Sequence, residues 1–339
     1  MFLIDFIDRN ITSEYSPAFE CIYVAEASFF FLLLLTSYAV GTASWKSPFH
    51  MNIRLRILCI IIHSDMSNAA RFSVLINQVF GPKKVAETTT HIIVASLIRE
   101  AFLAYFTTIA FIIAMDRWAA LSSWSWYESG VPSTLAFFIL QEAMLVSVAW
   151  TMSYLLVYDY ITDMHLVYYC GAALAIGSTL FLFVYRNNLS ERRILRQGAT
   201  VGSYAVARTF QIRENIALMK MFSRIVGPLV IFIAPEFVFY PAYTLLPNEK
   251  QWDYWRFLSI AMYDLWIGII SVVVLVCIPL FEPRIARNLP LLPKRLKQLM
   301  TRKHDKKAFS VIPKTSSAET SVYFNMLERD LEMPSHTRY

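Results

Sequence analysis

The feature that most constrains this sequence is a series of long apolar runs. A helix that crosses the hydrocarbon core of a bilayer needs about 20 largely apolar residues. Its backbone must be helical, because no water is present there to satisfy the peptide groups. Runs of this kind occupy about residues 22–40, 57–80, 92–115, 134–157, 166–185, 225–246 and 257–281. We therefore predict an all-α membrane protein, a bundle of seven transmembrane helices.

The composition supports this prediction. Of the 339 residues, 56% are hydrophobic and only 17% are charged, whereas a soluble domain is about one quarter charged. So much apolar surface exceeds what one or two soluble cores can bury, so the excess must face lipid. The formal net charge of +6 is spread over loops and tail rather than over one basic face. We therefore expect a lipid bilayer, and no nucleic acid, as the partner of this surface.

The second run is the least apolar of the seven. It is interrupted by four polar residues, namely His63, Asp65, Asn68 and Arg71. A non-spanning segment is the alternative interpretation, and it would leave six crossings with both termini on one side of the membrane.

The distribution of positive charge distinguishes seven crossings from six. Lys and Arg are enriched on the cytoplasmic side of membrane proteins. With seven crossings and the N-terminus outside, the outer segments hold only Arg9, Lys83, Lys84, Lys250 and Arg256. Most of the 31 Lys and Arg residues then fall inside, including Lys46, Arg54 and Arg56 before the second run. The charge pattern favours seven crossings and a cytosolic C-terminus.

These crossings divide the chain into three parts. Residues 1–21 are predicted to be an extracellular segment, with Asn10 in an Asn-Ile-Thr acceptor pattern for glycosylation. Residues 22–281 form the seven-transmembrane domain. Residues 282–339 form a cytoplasmic tail, whose juxtamembrane part is basic and whose remainder is predicted to be disordered.

Several ionisable residues fall inside the predicted crossings, where they are costly unless they pair or face a wet cavity. Those near mid-membrane are Asp65, Glu142 and Glu236, and those in the outer half are Arg71, Arg99, Glu100 and Asp264. One interpretation is a set of structural ion pairs between helices. The other is a ligand cavity in the outer half of the bundle, with Arg99, Glu100, Glu236 and Asp264 as its binding residues.

Two features suit a conformational switch. Asp116 and Arg117 end the third run at the inner face, where they form either a charge lock or a snorkelling arginine. Pro228, Pro235 and Pro241 punctuate the sixth run, and each favours a kink about which one end of a helix can swing. Structural prolines tolerated in a membrane helix are the alternative.

The sequence lacks the motifs of common enzymes. It has no His-x-x-x-His or Cys-x-x-Cys spacing for a metal, no glycine-rich phosphate loop and no Gly-x-Ser-x-Gly elbow. We therefore expect no catalysis, no metal and no cofactor. A transporter or ligand-gated channel is the alternative function, although the chain lacks the repeated halves of many transporters.

Two local motifs carry a resemblance to a known family. Phe49-His50-Met51-Asn52 lies in the first predicted inner loop, and residues 210–215, Phe-Gln-Ile-Arg-Glu-Asn, follow Tyr204 before the sixth crossing. With these motifs and the predicted topology, the chain resembles the nematode serpentine chemoreceptors of the Sra superfamily. It is identified as a member of the Sre family within that superfamily.

The resemblance implies a G-protein-coupled receptor for sensory perception of a chemical stimulus, in the plasma or ciliary membrane of sensory neurons. Its ligand would be a small environmental or pheromone-like molecule, and its partner a heterotrimeric G protein. Asp116 and Arg117 would be the switch pair for signal transduction. Gln211, Glu214 and Asn215 would lie on the cytosolic coupling surface or brace it.

The chain departs from the rhodopsin-like pattern at two places. The seventh crossing ends Ile278-Pro279-Leu280-Phe281, without an Asn-Pro-x-x-Tyr element, and no cysteine stands at the outer end of the third crossing. Cys21 and Cys170, both predicted near the outer face, are the remaining candidates for a disulfide there.

Overall fold

The computed structural model describes residues 16–47, 49, 51–80, 90–122, 131–196, 212, 215–225, 232–247 and 249–290. None of these residues lies in a β-strand. The predictions for Asn10, Gln211, Glu214 and the tail beyond residue 290 fall outside this part of the chain and remain predictions.

Helices coincide with six of the seven apolar runs and with most of the described part of the run 225–246. Their bounds are Ser16–Trp45 for α1, Met51–Phe80 for α2, Thr90–Ser122 for α3, Val131–Val157 for α4, Asp163–Arg196 for α5, Glu236–Leu245 for α6, Asp253–Phe281 for α7 and Pro283–Ala286 for α8. A further helical segment covers residues 215–225. For α1 to α5 and α7 the sequence predicted shorter helices, because it marked only the apolar stretch of each, whereas α6 is shorter than the predicted run 225–246.

Five of the described helices, α1, α3, α4, α5 and α7, are long and apolar enough to cross a membrane. With 30 residues, α1 is about 45 Å long, which exceeds a hydrocarbon core of about 30 Å. The helix α2 has the same length, but its charged residues lower its apolarity. The charged groups of Arg56 and Arg71 are nevertheless buried in the bundle. The protein is an all-α membrane bundle.

The helix α3 lies at the centre of one half of the bundle, where α2, α4 and α5 pack against it. In the other half, α1 packs against α2 and α7, while α6 and α8 pack on α7. The segment 215–225 fills the space between these halves at one end, since Met219 packs with α3 and α5 while Met221 packs with α1, α2 and α7.

Phe49 and Asn52 of the first inner-loop motif contact α8 and α4 at the end of the bundle where the segment 215–225 lies. Phe49 is buried, and the Arg284 guanidinium carbon of α8 lies 4.1 Å from its ring centroid. Asn52 donates a hydrogen bond of 3.3 Å to the Thr134 carbonyl at the start of α4. The motif therefore fixes how α2 begins relative to its neighbours.

The sixth crossing is interrupted at Pro235. Residues 234–235 form a turn, and α6 begins at Glu236 directly after it. Proline supplies no N–H donor to the helix, and the Trp266 indole donates to the Phe232 carbonyl at 2.6 Å. The regular helix is thus interrupted by a turn at Pro235, whereas Pro241 lies within α6 without ending it. Pro228 lies outside the described residues, and the kinks stay a prediction.

The helices α3 and α5 approach closely at Gly177. A Cβ atom there would lie 2.9 Å from the Phe111 backbone nitrogen, whereas a Cβ atom at Gly171, on the same helix, would meet no atom within 4 Å. Small residues at such crossings let membrane helices pack tightly.

We therefore expect Gly177→Ala to destabilise the bundle by about 1–3 kcal/mol, the usual effect of overpacking. Gly171→Ala is the matched control, and its only expected effect is a gain in helix propensity of up to about 1 kcal/mol. Thermal unfolding of the two purified variants in detergent measures the difference. Equal melting temperatures would contradict the close approach of α3 and α5.

Candidate functional site

Four buried charged residues form a chain of ion pairs across the bundle. Arg71 of α2 binds Glu26 of α1 through two contacts of 2.6 and 3.1 Å, and its Nη2 atom lies 3.1 Å from Asp264 Oδ2 of α7. Arg99 Nη1 of α3 lies 2.6 Å from Asp264 Oδ1. This chain of Glu26, Arg71, Asp264 and Arg99, here called the ion-pair chain, joins four helices with balanced charge.

The two ends of the ion-pair chain differ in geometry. Arg71 Nε and Nη2 form a bidentate pair with Glu26, the geometry that gives the strongest charge-assisted hydrogen bonds. Between Arg99 Nη1 and Asp264 Oδ1 the atoms are close, but neither atom makes a directed hydrogen bond. The Arg99–Asp264 contact is therefore mainly electrostatic.

Glu26 is the member of this chain that sequence reasoning missed. It is a lone acidic residue inside the apolar run 22–40, and an acid in such a position is costly without a partner. That signal, applied to the first crossing as it was to the others, would have identified it.

An internal cavity lies beside the ion-pair chain, between α2, α3, α5, α6 and α7. The centres of water-sized spheres can occupy about 100 Å³ of it. By this measure one water needs about 10–15 Å³, so the cavity has room for a small organic molecule. Its wall is mostly apolar, and its charged members are Arg99, Glu100 and Glu236.

The sequence left two interpretations open for the buried charged residues, namely structural ion pairs and the wall of a cavity. The structure contains both arrangements. Arg99, Glu100 and Glu236 line the cavity. Asp264 is held behind the wall, where it contacts Arg71 and Arg99. Three of the four predicted ligand residues thus share one cavity, and the fourth positions the arginine of that cavity.

The two other mid-membrane acids lie in separate contacts. Glu142 of α4 pairs with Arg56 and accepts a hydrogen bond of 2.7 Å from the Tyr105 hydroxyl. Asp65 accepts a hydrogen bond of 2.7 Å from the Ser37 hydroxyl of α1. Arg56 was predicted to lie before the second helix, but it lies within α2, where it is buried and Glu142 supplies its counter-charge.

The predicted switch residues meet at the opposite end of α3. Arg117 Nε lies 3.1 Å from Asp116 Oδ2, and its Nη1 atom donates a hydrogen bond of 2.9 Å to Asn215 Oδ1. Arg117 and Asn215 are both buried. The contact joins α3 to the segment 215–225, which leads along the chain to the sixth crossing.

The predicted disulfide is wrong. Cys21 and Cys170 are both free, with Cys21 on the exposed surface of α1 and Cys170 buried in α5. Cys170 faces the interior, where it lines the cavity and its sulfur lies 3.7 Å from the Thr107 hydroxyl of α3.

The family model for the Sre G protein-coupled chemoreceptors matches residues 19–330. The chain belongs to this family. Its resemblance to the Sre family is therefore confirmed, and the chain is a multi-pass membrane protein with a chemoreceptor role of the G-protein-coupled type. The Sre family is not a class of enzymes. A search of curated proteins found no match to the chain.

The Sre bundle thus has two distinct polar regions on one central helix. Arg99 at the cavity and Arg117 at the Asn215 contact lie about 27 Å apart along α3, at 1.5 Å per residue. The helix α6 contributes Glu236 to the cavity, and the segment 215–225, which precedes it along the chain, contributes Asn215 to the contact with Arg117.

Proposed function

We propose that this Sre-family chain binds a small environmental or pheromone-like molecule in the cavity and then activates a heterotrimeric G protein. We place it in the plasma or ciliary membrane of a sensory neuron, with the cavity toward the outside and the Arg117–Asn215 contact toward the cytosol. The observation that carries the proposal is that α3 takes part in both regions, while the segment 215–225 at Arg117 leads along the chain to α6 at the cavity.

The cavity supports the ligand-binding step. Ligand sites are mostly apolar hollows with a few polar groups that fix the orientation of the ligand. Arg99, Glu100 and Glu236 are such groups in a wall that is otherwise largely apolar. A molecule that contacts α3 and α6 together favours one relative position of these helices over another, which is what a ligand needs in order to shift a conformational equilibrium.

The break at Pro235 supports the transmission step. Glu236 lies in the first turn after the break, so a ligand that contacts it acts directly beside the break. Hinges are formed by a few residues at the ends of elements. Movement about this break would shift residues 215–225 relative to α3 and change the contact between Arg117 and Asn215.

A cavity-filling substitution tests the proposal. Leu174 of α5 lines the cavity, whereas Ile176, two residues later, is exposed on the bundle surface. We expect Leu174→Trp to raise the half-maximal concentration of any small-molecule agonist at least tenfold, because the indole occupies ligand space. Ile176→Trp should leave it unchanged.

Cells that express each variant with a promiscuous Gα subunit provide the measurement, with agonists found by screening volatile and water-soluble organic molecules. Equal agonist responses from the two tryptophan variants would refute the cavity as the ligand site. A ligand-dependent current or uptake that persists without any G protein would refute the receptor mechanism and favour a channel or transporter.

A further inference from the structure

We propose that the ligand of this cavity carries a protonated amine, which Glu236 and the aromatic rings of the cavity wall recognise. The inference rests on the proposed function, since it names the chemistry of the molecule that occupies the same site.

The balance of charge at the cavity favours a cationic ligand. The positive charge of Arg99 is matched by Asp264 at 2.6 Å, and that of Arg71 is matched by Glu26. Glu236 lines the cavity, yet among the described residues it has no Lys, Arg or His nitrogen within ion-pair distance. Arg99 acts on it only from farther away. A carboxylate in an apolar bundle is costly without a counter-charge, and an ammonium group on the ligand would supply one.

Aromatic rings beside Glu236 suit the same group. Tyr240 follows Glu236 by four residues in α6, so both side chains lie on one face of the helix, and both line the cavity. The Tyr240 and Tyr263 ring centroids are 5.6 Å apart with the planes at 42°, and Phe102 and Phe106 line the cavity from α3. The faces of aromatic rings attract cations, above all where water is excluded.

An anionic ligand fits the cavity less well. A carboxylate directed at Arg99 would compete with Asp264 for the guanidinium group. It would also add negative charge to a site where two arginines already face four acidic residues, namely Glu26, Glu100, Glu236 and Asp264. Like charges in a poorly solvated site repel strongly, so a ligand with an amine is favoured over one with a carboxylate.

Three probes with one skeleton test the proposal, namely phenethylamine, phenethyl alcohol and phenylacetic acid. Each is titrated against the purified full-length receptor in lipid nanodiscs, and the apparent Kd follows from the ligand-dependent rise in Tm. We expect the amine to bind at least tenfold more tightly than the alcohol or the acid. A charge-assisted hydrogen bond has an energy that corresponds to a tenfold or greater change in Kd.

Glu236→Gln should abolish the preference for the amine, and Glu236→Asp, which keeps the charge, should retain it in weakened form. Glu249→Gln is the control, because Glu249 is an exposed acid whose described partner is Gln251 in the loop before α7. Tighter binding of the acid, equal binding of the three probes, or an amine preference that survives Glu236→Gln would each overturn the amine proposal. These outcomes concern binding alone. Failure of the proposed receptor function would be seen separately, as agonist signalling that Leu174→Trp leaves unchanged or as a response that needs no G protein.

Discussion

Replacing Asp264 with alanine should remove most of the folded receptor from the cell surface. Asp264 lies 3.1 Å from Arg71 and 2.6 Å from Arg99, and both arginines are buried. Removing the carboxylate leaves Arg99 without its ion-pair partner and leaves Arg71 with Glu26 alone. Breaking a buried ion pair by deleting one partner costs about 3–5 kcal/mol, a large fraction of the stability of a typical domain.

Asp253→Ala is the matched control, because this acid lies in the same helix and its carboxylate is 3.9 Å from Arg256. A partly buried pair at this long distance contributes far less than the short contacts of Asp264, about 1 kcal/mol at most, so the control should retain the surface level of the unmodified chain. Surface labelling and size-exclusion profiles of fluorescent fusions measure both variants. A normal profile for Asp264→Ala would contradict the ion-pair chain.

The double variant Asp264→Ala, Arg99→Met tests why Asp264→Ala destabilises the bundle. The cause is either the lost contact or the buried charge that is left uncompensated. If the destabilisation comes from the unpaired guanidinium, removing that charge as well should restore part of the folded fraction. No recovery would indicate that Asp264 stabilises the bundle mainly through Arg71.

Arg117→Ala should reduce agonist-dependent signalling to background while leaving the surface level intact. Arg117 lies near the end of α3, where Asp116 and Asn215 hold its guanidinium group. Once released, this charged group is the one that we expect to meet the G protein, so its loss removes the coupling step. Arg186→Ala is the control, because Arg186 is exposed in the C-terminal half of α5. Undiminished signalling by Arg117→Ala would count against the switch role.

A substitution at Asn215 tests whether its contact with Arg117 is a lock that holds the resting state or a structural brace. If the hydrogen bond holds the resting state, Asn215→Ala should raise ligand-independent signalling about tenfold, because a hydrogen bond to a charged group contributes about 1.5–3 kcal/mol. Lys220→Ala, at an exposed position on the same segment, should leave the basal level unchanged. A basal level in Asn215→Ala equal to that of the control would exclude the lock.

The sequence predicted the helices well because the membrane leaves the chain little choice. An apolar run of sufficient length must become a helix, and α1, α3, α4, α5 and α7 all follow such runs. The second run was the difficult case, since Asp65, Asn68 and Arg71 interrupt it. It is helical throughout Met51–Phe80, because Ser37, Ser271 and Glu26 on neighbouring helices supply the polar partners that lipid cannot.

The sequence identified most of the charged residues of the candidate site, but it missed Glu26 and could not give the pairing. The cost of burying charge identified Arg99, Glu100 and Glu236, and the structure places all three on one cavity wall. Which carboxylate meets which arginine depends on the rotation of each helix about its axis. Helices that are apolar on most faces leave that rotation undetermined in the sequence, so the link from Asp264 to Arg71 could not be foreseen.

The undetermined rotation of each helix about its axis also explains why the candidate disulfide between Cys21 and Cys170 was wrong. Both Cys21 and Cys170 were placed near the outer face by their depth along the chain, but depth does not specify the face of a helix. Cys170 lies on the interior face of α5 and Cys21 on the exposed face of α1, so a bond between them would require one helix to rotate.

In the proposed receptor the cavity lies toward the outside, and the Arg117–Asn215 end of the bundle meets a cytosolic G protein. Epitope tags at Met1 and at Tyr339, stained in intact and in permeabilised cells, test this orientation most directly. We predict that the tag at Met1 is stained in intact cells and that the tag at Tyr339 is stained only after permeabilisation. Staining of the Tyr339 tag in intact cells would place Arg117 on the wrong side of the membrane and contradict the mechanism.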